Sequence, residues 1–150
     1  MTALSGDFQK ALVAAVLETF ENLAFMEPEF SPDKEFVAEV TFCCSLAIRT
    51  PLQCSIQIAM DEDLGKLITA TIWSRQKDSV DEQMCRDALA ELLNTIAGRF
   101  MKAVLPADQT FQLGLPEISE GCCAAGSDCK VFDFSLNGGM FRIALVVSES

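Results

Sequence analysis

From Phe36 to Met60 the apolar residues recur at every second position, and on either side of that stretch they recur at helical spacing. No other feature restricts the fold as much. A period of two belongs to a strand with one face buried, and a period near 3.6 to an amphipathic helix. Phe36, Ala38, Val40, Phe42, Cys44, Leu46 and Ile48 alternate with Val37, Glu39, Thr41, Cys43, Ser45, Ala47 and Arg49. The pattern predicts one long strand, interrupted or bent near Cys44. It stops at Thr50-Pro51, because proline cannot donate to a ladder. A second strand places Leu52, Cys54, Ile56, Ile58 and Met60 on one face and Gln53, Ser55 and Gln57 on the other.

Helical spacing frames these strands. Residues 7–25 read as a helix, with Phe8, Leu12, Ala15, Val16 and Leu23 on its apolar side and Lys10, Glu18, Glu21 and Asn22 opposite. "MEPEFSPDKE" breaks that pattern with two prolines. After Met60, Asp61 suits an N-cap, and the acidic residues behind it suit the positive end of a helix. Past the polar link "RQKDS", Ser79 and Glu82 fit a capping box for a helix that runs to about Val104 and stops before Pro106. "TFQLGL" reads as a short strand, and "PEISEGCCAAGSD" as a long loop. "CKVFDFSL" and "MFRIALVV" flank Asn137-Gly138-Gly139, a hairpin signal.

Strands that arrive as hairpin partners make a largely antiparallel sheet, and strands with one apolar face call for helices on that face only. The expected fold is α+β in two layers, with long helices packed on one face of the sheet. The 150 residues suit a single domain over 1–150, and half of them are apolar, enough for a core without staples.

Charge narrows the partners. The net charge is −11, with 11 Lys+Arg against 22 Asp+Glu. No basic cluster offers the footprint that nucleic acid requires, and an anionic membrane surface would repel the chain. The apolar runs are too short to span a bilayer, and the N-terminus lacks the pattern of a secretory signal, so the chain reads as cytoplasmic. Seven cysteines and no histidine leave neither the commonest general base nor the commonest partner of Cys in a metal site. Most of the cysteines fall at apolar positions, as small core residues would. Only "GCCAAGSDC", with Cys122, Cys123 and Cys129, leaves a thiol or metal role open.

The stretch "DALAELLNTIAG", residues 87–98, carries two stripes. With Asp87 set at zero and about 100° per residue, Glu91 lies near +40°, Asn94 near −20° and Gly98 near +20°. Cys85, Leu89, Leu92, Leu93, Ile96 and Phe100 fall on the opposite side, between roughly 140° and 240°. A polar face is ordinary on any amphipathic helix. Asn and Gly in mid-helix are not, since Gly there costs about 1 kcal/mol relative to Ala. A helix that accepts both on its exposed side leaves room for a partner to come close.

Asp87-x-x-x-Glu91-x-x-Asn94 followed by "TIAG" resembles the signature of the CheC/CheX/FliY family of chemotaxis phosphatases. The first helix also resembles the opening helix of CheX-type members, and Pro116 stands about where the pattern has a proline. The resemblance covers the chain from about Phe8 to the last hairpin. It implies dephosphorylation of a phosphorylated CheY-type response regulator. In that reading Asn94 orients a water in line with the partner's aspartyl phosphate, and Glu91 pairs with a lysine in the partner's active site. Asp87, Thr95 and Gly98 would belong to the docking surface. No cofactor or metal is expected on this chain, because the partner brings the divalent cation, Mg2+. The resemblance further implies a homodimer formed through the sheet. Some members repeat the motif on the first helix, but here the matching stretch is Ala14-x-x-x-Glu18-x-x-Glu21. A glutamate cannot offer the amide donor that positions water, so one site per chain is expected, with Glu18 and Glu21 as solvated helix positions.

Two other readings use the same residues differently. The stripe could dock a response regulator or a flagellar-switch scaffold without catalysis. Alternatively, Cys122, Cys123 and Cys129 could form a thiol or metal module.

Overall fold

The computed structural model describes residues 6–36, 42–50, 54–118 and 129–147. Helix α1 (Gly6–Thr19) is followed by strands β1 (Glu29–Phe30), β2 (Phe42–Thr50) and β3 (Cys54–Met60). Helices α2 (Glu62–Trp73) and α3 (Glu82–Val104) come next, then β4 (Gln112–Leu113), β5 (Glu117–Ile118), β6 (Cys129–Leu136) and β7 (Gly139–Val147). The sheet runs β1-β6-β7-β3-β2-β4, with β5 also on the outer edge of β2, and every pairing is antiparallel. The two-layer α+β expectation holds.

Cross-strand rows explain why the helices lie where they do. Phe42, Met60, Phe141 and Phe134 stand side by side in register, as do Cys44, Ile58, Ile143 and Phe132. All eight are buried, and they form the floor on which α1, α2 and α3 rest. Phe141 stacks on Phe134 and on Phe20, which ties the end of α1 to the sheet. On α2, a Cβ added at Gly65 would come within 2.6 Å of the Phe42 ring, so a glycine is what lets this helix settle on β2. The opposite face carries Asp133, which accepts two hydrogen bonds from Arg142 at 2.7 and 3.0 Å. The Phe36 ring lies beneath that guanidinium.

Several local expectations change. The first helix does not stay α-helical to residue 25. It passes into a π turn at Phe20–Ala24 and ends at Phe25, whose φ of 54° is left-handed. The pairing of β2 with β3 runs unbroken from Phe42 to Ile48, so there is no interruption at Cys44. The irregularity sits between Ile48 and Thr50, opposite β4. Phe36 precedes the strand, and residues 37–41 and 51–53 lie outside the described residues. Asp81, not Ser79, caps α3: its carboxylate accepts from the Met84 N–H at 2.8 Å. Ser79 closes a short 3₁₀ turn instead, with its hydroxyl donating to the Gln76 carbonyl. Strands β1 and β5 fall in stretches read as irregular. Asp61 does cap α2, accepting from the Leu64 N–H at 2.8 Å. The hairpin turns at Asn137 and Gly138, both at positive φ as a type I′ turn requires.

Candidate functional site

Helix α3 has 23 residues, about 35 Å at 1.5 Å per residue. It is held at both ends, by the Asp81 carboxylate and by the Leu105 N–H on the Met101 carbonyl. Cys85, Leu89, Leu92, Leu93, Ile96 and Phe100 are completely buried, as the wheel requires. Burial reaches further round than that arc. Ala88 near +100°, Ala97 near −80° and Met101 near −40° are buried too, on roughly the wheel spacing of an α-helix. The reason is position: α3 packs against β2 and β3 below and against α1 and α2 beside it. Between its end turns, what α3 leaves fully exposed is a narrow strip.

That strip is the polar stripe. Asp87, Glu91 and Asn94 are exposed, and Thr95 and Gly98 are half-buried beside them. Glu91 and Asn94 are three residues apart, hence neighbours with an axial offset of about 4.5 Å. Among the described residues, neither makes a hydrogen bond or ion pair with the rest of the chain. Asp87 accepts a hydrogen bond from Gln83 Nε2 at 3.0 Å, which fixes one of its oxygens. A Cβ added at Gly98 would meet nothing within 4 Å, so the fold itself does not require a glycine there.

The flanks of the strip are cationic, and each cation is paired with a carboxylate. Arg86 pairs with Glu82 at 2.7 Å on one side. Arg99 pairs with Glu18 of α1 at 3.0 Å on the other. Both Nε atoms are buried without a hydrogen-bond partner, so the arginine stems lie down along the helix and only the outer forks meet the carboxylates. Glu18 is therefore more than a solvated position, since it ties α1 to α3. Glu21 is exposed, and Ala14 lies in a shallow apolar groove of about 440 Å³ with Val13, Leu17 and Phe30. Pro116 sits half-buried in the link between β4 and β5.

Sequence reasoning missed two contributors: Gln83 and Arg99. The i,i+4 spacing of Gln83 and Asp87 was a readable signal. The contact between Glu18 and Arg99 spans 81 residues and left none.

The cysteines have an ordinary setting. Cys43, Cys44, Cys54 and Cys85 are buried. Burial pushes the pKa of Cys54 up to about 11, and burial with the nearby Cys43 does the same for Cys44, so neither offers a thiolate near neutral pH. Cys129 opens β6, while Cys122 and Cys123 lie outside the described residues. Among the described residues, no three His, Cys, Asp or Glu side chains converge on a possible metal position. None of the helices there is long and apolar enough to cross a membrane.

Comparison with known proteins places this helix in a wider setting. The family model described as chemotaxis phosphatase CheX matches residues 42–130, which include all of α2 and α3. No curated protein matches the sequence. Among solved structures, a CheC-like superfamily protein from Shewanella sp. PV-4 superposes with a TM-score of 0.79 at 21% identity, covering 97% of this chain and 99% of that one. The chemotaxis protein CheX of Vibrio vulnificus gives a TM-score of 0.78 at 15% identity, covering 99% and 100%. The CheX–CheY–BeF3–Mg2+ complex of Borrelia burgdorferi gives 0.73 at 18% identity, covering 95% and 99%.

Proposed function

The chain belongs to the chemotaxis phosphatase CheX family, and from that premise we propose that it dephosphorylates the aspartyl phosphate of a CheY-type response regulator. The observation that carries the reading is the pair Glu91 and Asn94, exposed together on α3 and, among the described residues, with side chains in no hydrogen bond or ion pair. A side chain that a fold neither buries nor pairs is available to a second molecule.

The chemistry asks little of this chain. Asn94 would hold a water through its carboxamide, in line with the bond between phosphorus and the aspartyl oxygen. Attack by that water forms a new P–O bond as the aspartyl–phosphorus bond breaks. The bonding electrons return to the aspartate carboxylate, and the water's protons leave with inorganic phosphate and solvent. This is catalysis by positioning, and it needs neither a nucleophile nor a histidine here. Glu91 would meet a lysine in the regulator's active site and fix the docked geometry. Asp87, Thr95 and Gly98 would form the rest of the contact. The divalent cation, Mg2+, would arrive with the regulator and neutralise charge on the phosphoryl oxygens. The similar Borrelia protein was solved with CheY, BeF3 and Mg2+, BeF3 being chemically a phosphoryl surrogate, and this supports the reading. We further propose that two copies associate through their sheets, which a sedimentation measurement would test.

The deciding experiment is phosphate release from a phosphorylated CheY-type regulator of the same organism, with wild type and Asn94→Ala side by side. Wild type is expected to accelerate release. Asn94→Ala should lose about 100-fold or more of that acceleration while still binding, as happens when a group that acts only in the transition state is removed. Binding without acceleration by wild type would leave the stripe as a docking surface and end the phosphatase reading.

A further inference from the structure

The charges on α3 nearly cancel within the chain, and what is left over lies on the stripe. The helix carries Glu82, Arg86, Asp87, Glu91, Arg99 and Lys102. Glu82 and Arg86 neutralise each other at 2.7 Å, and Arg99 is neutralised by Glu18 at 3.0 Å. Asp87, Glu91 and Lys102 have no ion-pair partner among the described residues, and all three are exposed. On the wheel they fall near 0°, +40° and +60°, within one narrow arc. Along the axis, Lys102 lies about 16 Å beyond Glu91 and about 12 Å beyond Asn94.

The stripe therefore has a direction. Its first half is negative, its far end is positive, and Asn94 and Gly98 lie between. Resting on the phosphatase reading above, we propose that Lys102 is a specificity-determining residue for the regulator. It pairs with a carboxylate on the regulator's docking face, about 16 Å from the lysine that meets Glu91. Two opposite charges at a fixed separation admit one docking direction. They disfavour the reversed one, in which like charges would meet at both ends. A regulator with a basic or neutral surface at that distance would be a poor substrate.

A lysine in the last turn of a helix also suits the negative end of the helix dipole. That accounts for a cation somewhere in the turn. It does not account for its alignment with the stripe, because Ala103, also exposed, would serve the dipole as well.

The test compares wild type, Lys102→Ala and Lys102→Glu on a phosphorylated CheY-type regulator of the same organism. Lys102→Glu is expected to raise the half-saturating regulator concentration about tenfold, and Lys102→Ala less, with kcat unchanged. The difference should shrink in high salt, since a rim pair is screened. A regulator with the facing carboxylate changed to lysine should recover on Lys102→Glu. Equal half-saturating concentrations for wild type and Lys102→Glu would overturn the proposal, as would a loss confined to kcat. Titration of the variants with the BeF3-loaded regulator separates the two claims. Binding that weakens in Lys102→Glu, with no catalysis by wild type, sustains the docking code while the phosphatase reading fails. A wild type that neither binds nor accelerates overturns both.

Discussion

Glu91 of α3 has Asn94 three positions later, and Glu18 of α1 has Glu21 three positions later in the π turn that follows it, yet the chain treats the two leading glutamates differently. On α3, Glu91 and Asn94 face solvent and, among the described residues, take part in no hydrogen bond or ion pair through their side chains. On α1, Glu18 is bound to Arg99, and Ala14, in the place of Asp87, lies in an apolar groove with Val13, Leu17 and Phe30. Spacing alone would rank these stretches as near relatives. The structure separates them by whether the leading glutamate is already committed, since Glu21, like Asn94, is exposed. A carboxylate engaged by a neighbouring helix serves cohesion, whereas one left open to solvent is free to serve a partner.

The sharpest way to break the contrast is to remove the free glutamate. Glu91→Ala should leave stability unchanged within about 0.5 kcal/mol, as for most exposed positions away from special features. If Glu91 meets a lysine across the interface, its loss leaves that lysine unpaired, at a cost of about 2 kcal/mol or more in binding. The half-saturating regulator concentration would then rise about 30-fold. Phosphate release at varied regulator concentration reads this directly. An unchanged value would mean that Glu91 is no more engaged by a partner than any other surface glutamate.

Gly98 sharpens the contrast from a different side. Gly65 is a glycine because the Phe42 ring leaves no space for a Cβ, but Gly98 faces open space. Gly98→Ala should therefore stabilise the isolated chain by about 0.5–1 kcal/mol, through the helix propensity that glycine forfeits. That corresponds to a rise in Tm of about 1–4 °C at this size. If a partner packs against this point, the same methyl should slow phosphate release several-fold. A variant that is more stable and equally active would remove Gly98 from the docking surface.

The parts of this arrangement that were legible in the sequence are those set by local periodicity. The alternation from Phe42 to Ile48 and from Cys54 to Met60 puts the correct side chains toward the helices, and Asn137-Gly138 marks its hairpin. The stripe on α3 follows from the helix repeat alone. The pattern predicts an interruption or bend near Cys44. In the structure Cys43 and Cys44 are both buried, on opposite faces of an unbroken strand. Ser79 and Asp81 are both good capping types, but α3 begins at Glu82, so the N-cap position falls to Asp81, while Ser79 ends the 3₁₀ turn before it and donates to the Gln76 carbonyl. Two-residue strands such as β1 and β5 exist only through the edges they meet, β6 and β2, so their own residues carry no signal. The commitment of Glu18 to Arg99 depends on how α1 lies across α3, which no window of sequence contains.

The smallest expected effect tests that last point. Glu18→Gln keeps the shape of the side chain and removes its charge. The pair it breaks is well exposed, with 59% of the Glu18 side chain and 36% of the Arg99 side chain accessible, so the loss of stability should stay below about 1 kcal/mol. Because Glu18 is engaged within the chain and does not face a partner, kcat should not change. Freeing Arg99 adds positive charge at the same end of α3 as Lys102. A regulator held there through a carboxylate should then bind slightly more tightly at low salt and equally at high salt. A fall in kcat like that expected for Asn94→Ala would break the comparison from the α1 side. The first helix would then belong to the catalytic surface, and its ion pair with Arg99 would be holding that surface in place.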